Sequence, residues 1–198
     1  MLTPAKFVVK AAYGYARQQT LKSRVERAGR SVDPSSLLTA DIVLSTTDAA
    51  ISKAIRVGTG SPVSHGMLYI GDGQVVEAIG EGVVMRSLGL ALRDAIRAAV
   101  YRKSDLTETQ ALMVRDYVGN QVGKPYDAVG ALLSPDPVLC HVPGAPEKFF
   151  CSELVLAAFD HAGASLTDRR PSCGTPDTLL SAYFSGTTQY VGHLVADL

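Results

Sequence analysis

The chain has 198 residues, 46% of them apolar, with 19 acidic and 19 basic side chains. That length and apolar content suffice for one domain with a substantial core. A net charge of zero excludes a global field that would draw the chain onto nucleic acid or an acidic membrane. No apolar run is long enough to span a bilayer.

The first segment, residues 3–28, places Phe7, Val8, Ala11, Ala12, Tyr15 and Ala16 at helical spacing. Through Arg30 it carries seven Lys/Arg against the single Glu26. It reads as a packing helix with a solvated basic face, or as a docking arm for a membrane or partner. Its apolar stretch is broken by Lys10 and leads to no small-residue cleavage site, so no signal peptide is expected. On that reading the protein is made in the cytoplasm, and action in the periplasm requires export without a signal. SVDPSS (31–36) has the composition of a linker. Residues 1–37 are therefore expected to form an N-terminal extension, and 38–198 the main domain.

A short strand follows at 41–45 and a helix at 47–58, ended by Gly58. Strands are expected at 65–70, 74–79, 82–87 and 97–102, short, apolar and separated by glycine turns, as in an antiparallel meander. A helix over 107–123 opens on the capping box Thr107-x-x-Gln110. GKPYD (123–127) turns into a short helix through Leu133. The Pro-rich loop 134–149 is too long for a mere connector, and its place before Cys151 suits a specificity lid. Helices at 151–163 and 175–184 and a strand at 189–196 complete an α+β pattern of a small antiparallel sheet with helices.

Cys151 is the first residue of an amphipathic helix. Unpaired N–H groups and the helix dipole at that point favour the thiolate, and the same N–H groups suit a developing oxyanion. The opposing reading is a small core residue. Cys140 and Cys173 lie in loops. An odd cysteine count without a secretion signal argues against a disulfide framework, and the spacings match no four-ligand zinc pattern. Cys140-His141 is a pair of metal-ligand types without further ligands in sequence. His161 suits a helix C-terminus, and His193, in an apolar strand, a structural role.

SHGMLYIGDGQVVEA (64–78), followed much later by FFCSELVLAAF (149–159), resembles the NlpC-type papain-like cysteine hydrolases. In the usual members the cysteine helix precedes the histidine strand. Here His65 precedes Cys151, which resembles the circularly permuted YiiX/YebB-like branch, related to the lecithin:retinol acyltransferase-like enzymes. Asp41-Ile42-Val43 resembles the family's Gly-Asp-Ile/Val-Val strand, with Ala40 where glycine is usual. Gly123 to Asp127 resembles its Gly-x-Pro-Tyr-Asp turn, and Thr175-Pro176-Asp177 its Pro-x-Asp segment. The resemblance covers residues 38 to 184 and implies a permuted papain-like fold. It implies Cys151 as nucleophile, His65 as base, Glu77 as the third residue, and Tyr126 and Ser152 as support for the oxyanion and substrate. It implies no metal and no organic cofactor.

Strand geometry sets a difficulty for Glu77. A two-residue Asp72-Gly73 hairpin pairs Gly71 with Gln74 and sets Glu77 opposite Leu68, on the face away from His65. A longer turn or a bulge is needed to bring the two together. Without one, a backbone carbonyl or water would have to orient His65.

The expected activity is amide hydrolysis through a thioester. The resemblance implies peptidoglycan stem peptides as a substrate class. A secreted antibacterial effector, of type VI kind, would reconcile a cell-wall substrate with the missing signal and would meet an immunity or secretion partner. A lipid acyl hydrolase or acyltransferase on the same Cys-His site is a second reading, with the 3–28 segment and AVGALL (128–133) facing lipid. A non-catalytic binding module is a third.

Overall fold

The structure is a computed structural model that describes residues 31–141 and 147–194. The helix expected over 3–28, part of loop 134–149 and the end of the last strand fall outside the described residues.

Six strands form one antiparallel sheet: β1 (Ile42–Thr47), β2 (His65–Gly71), β3 (Gln74–Ile79), β4 (Gly82–Ser87), β5 (Ala95–Lys103) and β6 (Thr188–Leu194). Their order is β4-β3-β2-β1-β5-β6. The meander expected over 65–102 therefore holds only for β2 to β4; β5 crosses to the far side of β1. The burial of β5 explains this. Ala98 and Val100 enter one core and Tyr101 the other, so both faces are covered and both edges are paired. A last meander strand would leave one of those edges to water.

The helices are α1 (Ala50–Thr59), α2 (Leu88–Leu92), α3 (Glu108–Gly119), α4 (Ala128–Leu133), α5 (Cys151–His161) and α6 (Pro176–Phe184). α1 runs past Gly58 and ends at Gly60, whose φ of 64° supplies the left-handed cap. α2 was not expected, because five residues are too few for periodicity to register. The Ser87 hydroxyl caps its Leu90 N–H, and Leu88 and Leu92 are buried. The Thr107–Gln110 capping box opens α3 as anticipated.

Alternation along the strands creates two cores. Ile42, Leu44, Leu68 and Val76 point to one face and pack with Val114 and Val118 of α3, Leu154 to Phe159 of α5, and Leu179 and Leu180 of α6. Val43, Met67, Tyr69 and Val75 point to the other, with Leu37, Leu88 and Leu92. The 31–36 stretch, of linker composition, lies against the sheet: Ser31 bridges His193, the Val32 N–H donates to the His193 carbonyl, and Asp33 caps a turn at Pro34–Ser36. Asp41, fully buried, accepts a bidentate pair from Arg102 on β5 (2.7 Å each) and the Leu38 N–H. No helix among the described residues is long and apolar enough to cross a membrane.

The expectation about cysteines is corrected. Cys140 and Cys173 are joined as a disulfide, with Cα atoms 4.9 Å apart, and Cys151 is the free thiol. The odd count is one pair plus one thiol. Folding brings short turns at Leu139–His141 and Pro171–Cys173 together across a sequence separation of 33, a proximity that counting cannot reveal.

Candidate active site

Cys151 opens α5 after Phe150, which is extended (φ −105°, ψ 168°). The change from extended to helical backbone leaves the first-turn N–H groups free of helix partners. The backbone N–H groups of Ser152, next in the helix, and of Gly66 on β2 lie near the Cys151 sulfur and favour its thiolate. The glycine at 66 permits this approach of strand to helices: a Cβ there would lie 2.7 Å from the Leu179 side chain.

His65 precedes Gly66, and its imidazole stands close enough to the Cys151 thiol for each to shift the other's protonation. Nε2 of His65 lies 2.5 Å from Oε2 of Glu77. With Nε2 committed to the carboxylate, Nδ1 is the ring nitrogen left for sulfur. The three sequence candidates thus form one continuous chain. The Asp72-Gly73 turn is the two-residue type, with φ of 51° and 70°, and Gly71 does pair with Gln74. The register then shifts at Ile70, so that Tyr69 pairs with Val75 and Leu68 with Val76. This bulge moves Glu77 from opposite Leu68 to the face His65 occupies. Gly71, at φ 102°, supplies the backbone conformation it needs.

Sequence reasoning missed Arg86, whose Nε donates to Oε1 of Glu77. The register carried the signal: Glu77 pairs with Val84 and Val75 with Arg86, so Arg86 is diagonal to Glu77 on the same face.

The electrostatics follow from burial and contacts. Burial alone would lower the His65 pKa. The hydrogen bonds and charges of Cys151 and Glu77 outweigh it and push the imidazole up to about 10. Burial would raise the Cys151 thiol, but His65 and the Gly66 and Ser152 N–H groups hold it below its ordinary value. Burial likewise opposes ionisation of Glu77, and His65 and Arg86 together keep it lowered. The balance favours a thiolate–imidazolium pair backed by a carboxylate.

Tyr126 is brought beside this group by its strap. Tyr126 bridges Phe149, the Asp127 N–H donates to the Phe149 carbonyl, and the Val83 N–H holds the Lys124 carbonyl. Burial and the nearby Cys151 raise the Tyr126 hydroxyl above its ordinary value, so it stays a proton donor. Ser152 is fully buried and turns its hydroxyl to the Gly174 carbonyl (3.1 Å); what it offers Cys151 is its backbone N–H. Glu153 accepts the Phe150 N–H, and burial lifts its carboxyl to about 7. His161 stacks on Tyr117 at 4.8 Å between ring centres, away from the site. An open hollow of about 510 Å³ along Thr175 and, on α6, Thr178 and Ala182 includes neither Cys151 nor His65.

A cysteine at a helix start, met by a strand histidine from earlier in the chain, is the arrangement of permuted papain-like enzymes. Residues 36–171, which include both His65 and Cys151, match the profile of the permuted papain-like amidase enzymes, the YaeF/YiiX or C92 family. The chain belongs to this family. It is accordingly a cysteine hydrolase of the peptidase and amidase type. The probable lipoprotein peptidase YaeF of Escherichia coli K12 is 29% identical over 212 aligned positions, covering 89% of this chain and 77% of that protein. A crystal structure titled metalloprotein yiiX, from Escherichia coli O157:H7, superposes with a TM-score of 0.54 over 80% of this chain and 88% of that one. At 20% identity that likeness speaks for the C92 fold alone.

Proposed function

We propose that this C92 enzyme cleaves an amide bond with Cys151 as nucleophile, His65 as base and Glu77 as the residue that orients the imidazole. The observation that carries the reading is the chain Cys151–His65–Glu77 at the start of α5. With the thiol proton already on His65 Nδ1, the thiolate attacks the carbonyl carbon, forming a tetrahedral oxyanion. Backbone N–H groups at the start of α5 and the Tyr126 hydroxyl stabilise it in this reading. Collapse breaks the C–N bond, His65 gives its proton to the leaving amine, and a thioester remains. Water, deprotonated by His65, then attacks the thioester, releases the acid and restores the thiolate–imidazolium pair. Glu77 keeps the Nε2 proton in place throughout, and Arg86 holds Glu77.

For the substrate we favour peptidoglycan stem peptides. The support is the resemblance to NlpC-type hydrolases and the word peptidase in the name of the YaeF relative. A secreted antibacterial role fits that substrate. Digestion of purified peptidoglycan by the wild type and by Cys151→Ala, with products identified by mass, tests both parts. The expected result is new peptide ends with the wild type and none with the variant. Cleavage by both would overturn the assignment of Cys151, and no cleavage by either would overturn the substrate.

One observation favours a second reading. Val129 and Leu132 on α4, and Val138 and Leu139 beyond it, are 67%, 79%, 73% and 44% exposed, on the segment that leads to the nucleophile. That surface suits an acyl chain, and the thioester chemistry is unchanged on an ester. Release of fatty acid from phospholipid vesicles by wild type but not Cys151→Ala would favour it over the peptide reading.

A further inference from the structure

The second cysteine group of the molecule lies apart from Cys151. His141 is exposed and follows the buried Cys140; its Nδ1 and Nε2 lie 3.7 and 4.0 Å from the sulfur of Cys173. The donor atoms of Cys140, His141 and Cys173 all fall within 4.8 Å of one another. Among the described residues no other three His, Cys, Asp or Glu side chains converge in this way. A disulfide alone has no need of an imidazole at its edge, because a disulfide sulfur is a poor hydrogen-bond acceptor.

We infer that the reduced protein binds one Zn²⁺ through Cys140, Cys173 and His141. Two thiolates and one imidazole are zinc donors, and the fourth tetrahedral position is left for water. Zinc–sulfur and zinc–nitrogen bonds of about 2.3 and 2.0 Å set the sulfurs roughly 3.8 Å apart and sulfur and nitrogen roughly 3.5 Å apart. The His141 ring stands within about 0.5 Å of that range from Cys173, with Nδ1 at 3.7 Å and Nε2 at 4.0 Å, and the two sulfurs must part.

The frame that carries the donors does not depend on the sulfur–sulfur bond. The Cys140 N–H donates to the Asp136 carbonyl, and Asp136 Oδ1 accepts the N–H groups of Val138 and Leu139. The Cys173 N–H donates to the Arg170 carbonyl, and the Ser172 hydroxyl donates to the Cys140 carbonyl across the two turns. Backbone held in this way keeps the ligands close after reduction, as the outer shell of a metal site does.

Disulfide and metal are alternative states of the same residues. A small dithiol breaks the Cys140–Cys173 bond, is itself oxidised to a cyclic disulfide, and leaves two protein thiols. Zn²⁺ then displaces one proton from each thiol. The test uses the full chain carrying Cys151→Ala, so that the candidate active site contributes no thiolate. The protein is reduced with a dithiol, desalted anaerobically and titrated with Co²⁺ as an optical probe, then with Zn²⁺ in competition.

The expected result is one Co²⁺ per chain, with a thiolate-to-cobalt charge-transfer band and tetrahedral visible bands that Zn²⁺ abolishes. The unreduced protein, which is folded, should show none. Cys173→Ser should remove the bands, and His141→Ala should weaken binding at least about tenfold. Circular dichroism checks the variants, with Cys140→Ser in place of Cys173→Ser if the latter fails to fold. No band in the reduced protein, a band that survives the cysteine substitution, or an affinity unchanged by His141→Ala would overturn the inference. None of these outcomes bears on catalysis by Cys151.

Discussion

At the scale of single residues, the candidate site is a chain of groups that change one another's protonation. The thiolate–imidazolium form exists between the lowered pKa of Cys151 and the raised pKa of His65, about 10. Activity should therefore rise with pH through an acid limb lying below the ordinary thiol value and fall through an alkaline limb near pH 10. These limbs belong to the pair, because the two groups titrate together. Glu77→Gln removes an anion that holds the proton on His65. The alkaline limb should move to lower pH, and kcat/KM should fall by about 10²-fold. A pH–rate profile of both proteins checks this; an unmoved alkaline limb would mean that Glu77 does not face the imidazole in solution. Arg86 sharpens the case, since the variant also leaves that guanidinium without its carboxylate.

At the scale of elements, the site depends on one irregularity in the β2–β3 hairpin. The Asp72-Gly73 dipeptide names the turn, and the turn by itself predicts the wrong face for Glu77. The bulge at Ile70 corrects it, with Gly71 at φ 102° and the Gly73 N–H donating to the Tyr69 hydroxyl (2.9 Å). An L side chain at such a φ costs roughly 1–2 kcal/mol. Gly71→Ala should lower stability by about that much and shift the hairpin toward its regular register. Loss of activity should then exceed what the stability change explains. Thermal melts and kcat/KM on the same preparation separate the two effects, and full activity in a destabilised protein would show that the bulge survives. The hairpin was legible in sequence down to its turn residues, whereas the bulge was not. Its cause is the packing of Leu68 and Val76 in one core and Tyr69 and Val75 in the other.

At the scale of the whole molecule, the segment before Cys151 is held from two sides. The strap 123–127 pairs with Phe149, and the disulfide fastens the Leu139–His141 turn to the Pro171–Cys173 turn, which precedes the Gly174 carbonyl held by Ser152. A freely swinging lid over 134–149 is thus restrained at Cys140. Closing a loop across the sequence separation of 33 removes unfolded-state entropy worth about 3–4 kcal/mol. Reduction in the presence of a chelator should lower stability by roughly that amount. Denaturant unfolding of oxidised and reduced protein measures it, and coincident curves would show that the disulfide contributes nothing.

The sequence by itself determined the elements that rest on local chemistry: the capping box of α3, the Asp-Gly turn, the helix that begins at Cys151 and the histidine that begins β2. It also held the permuted order of His65 and Cys151, because motif order is a property of the chain. What the tertiary structure decided were relations between distant segments. These are β5 beside β1, the bulge that aims Glu77, Arg86 on its far oxygen, and Cys140 against Cys173. Each depends on where side chains find partners once both faces of the sheet are covered, and no periodicity along the chain records that.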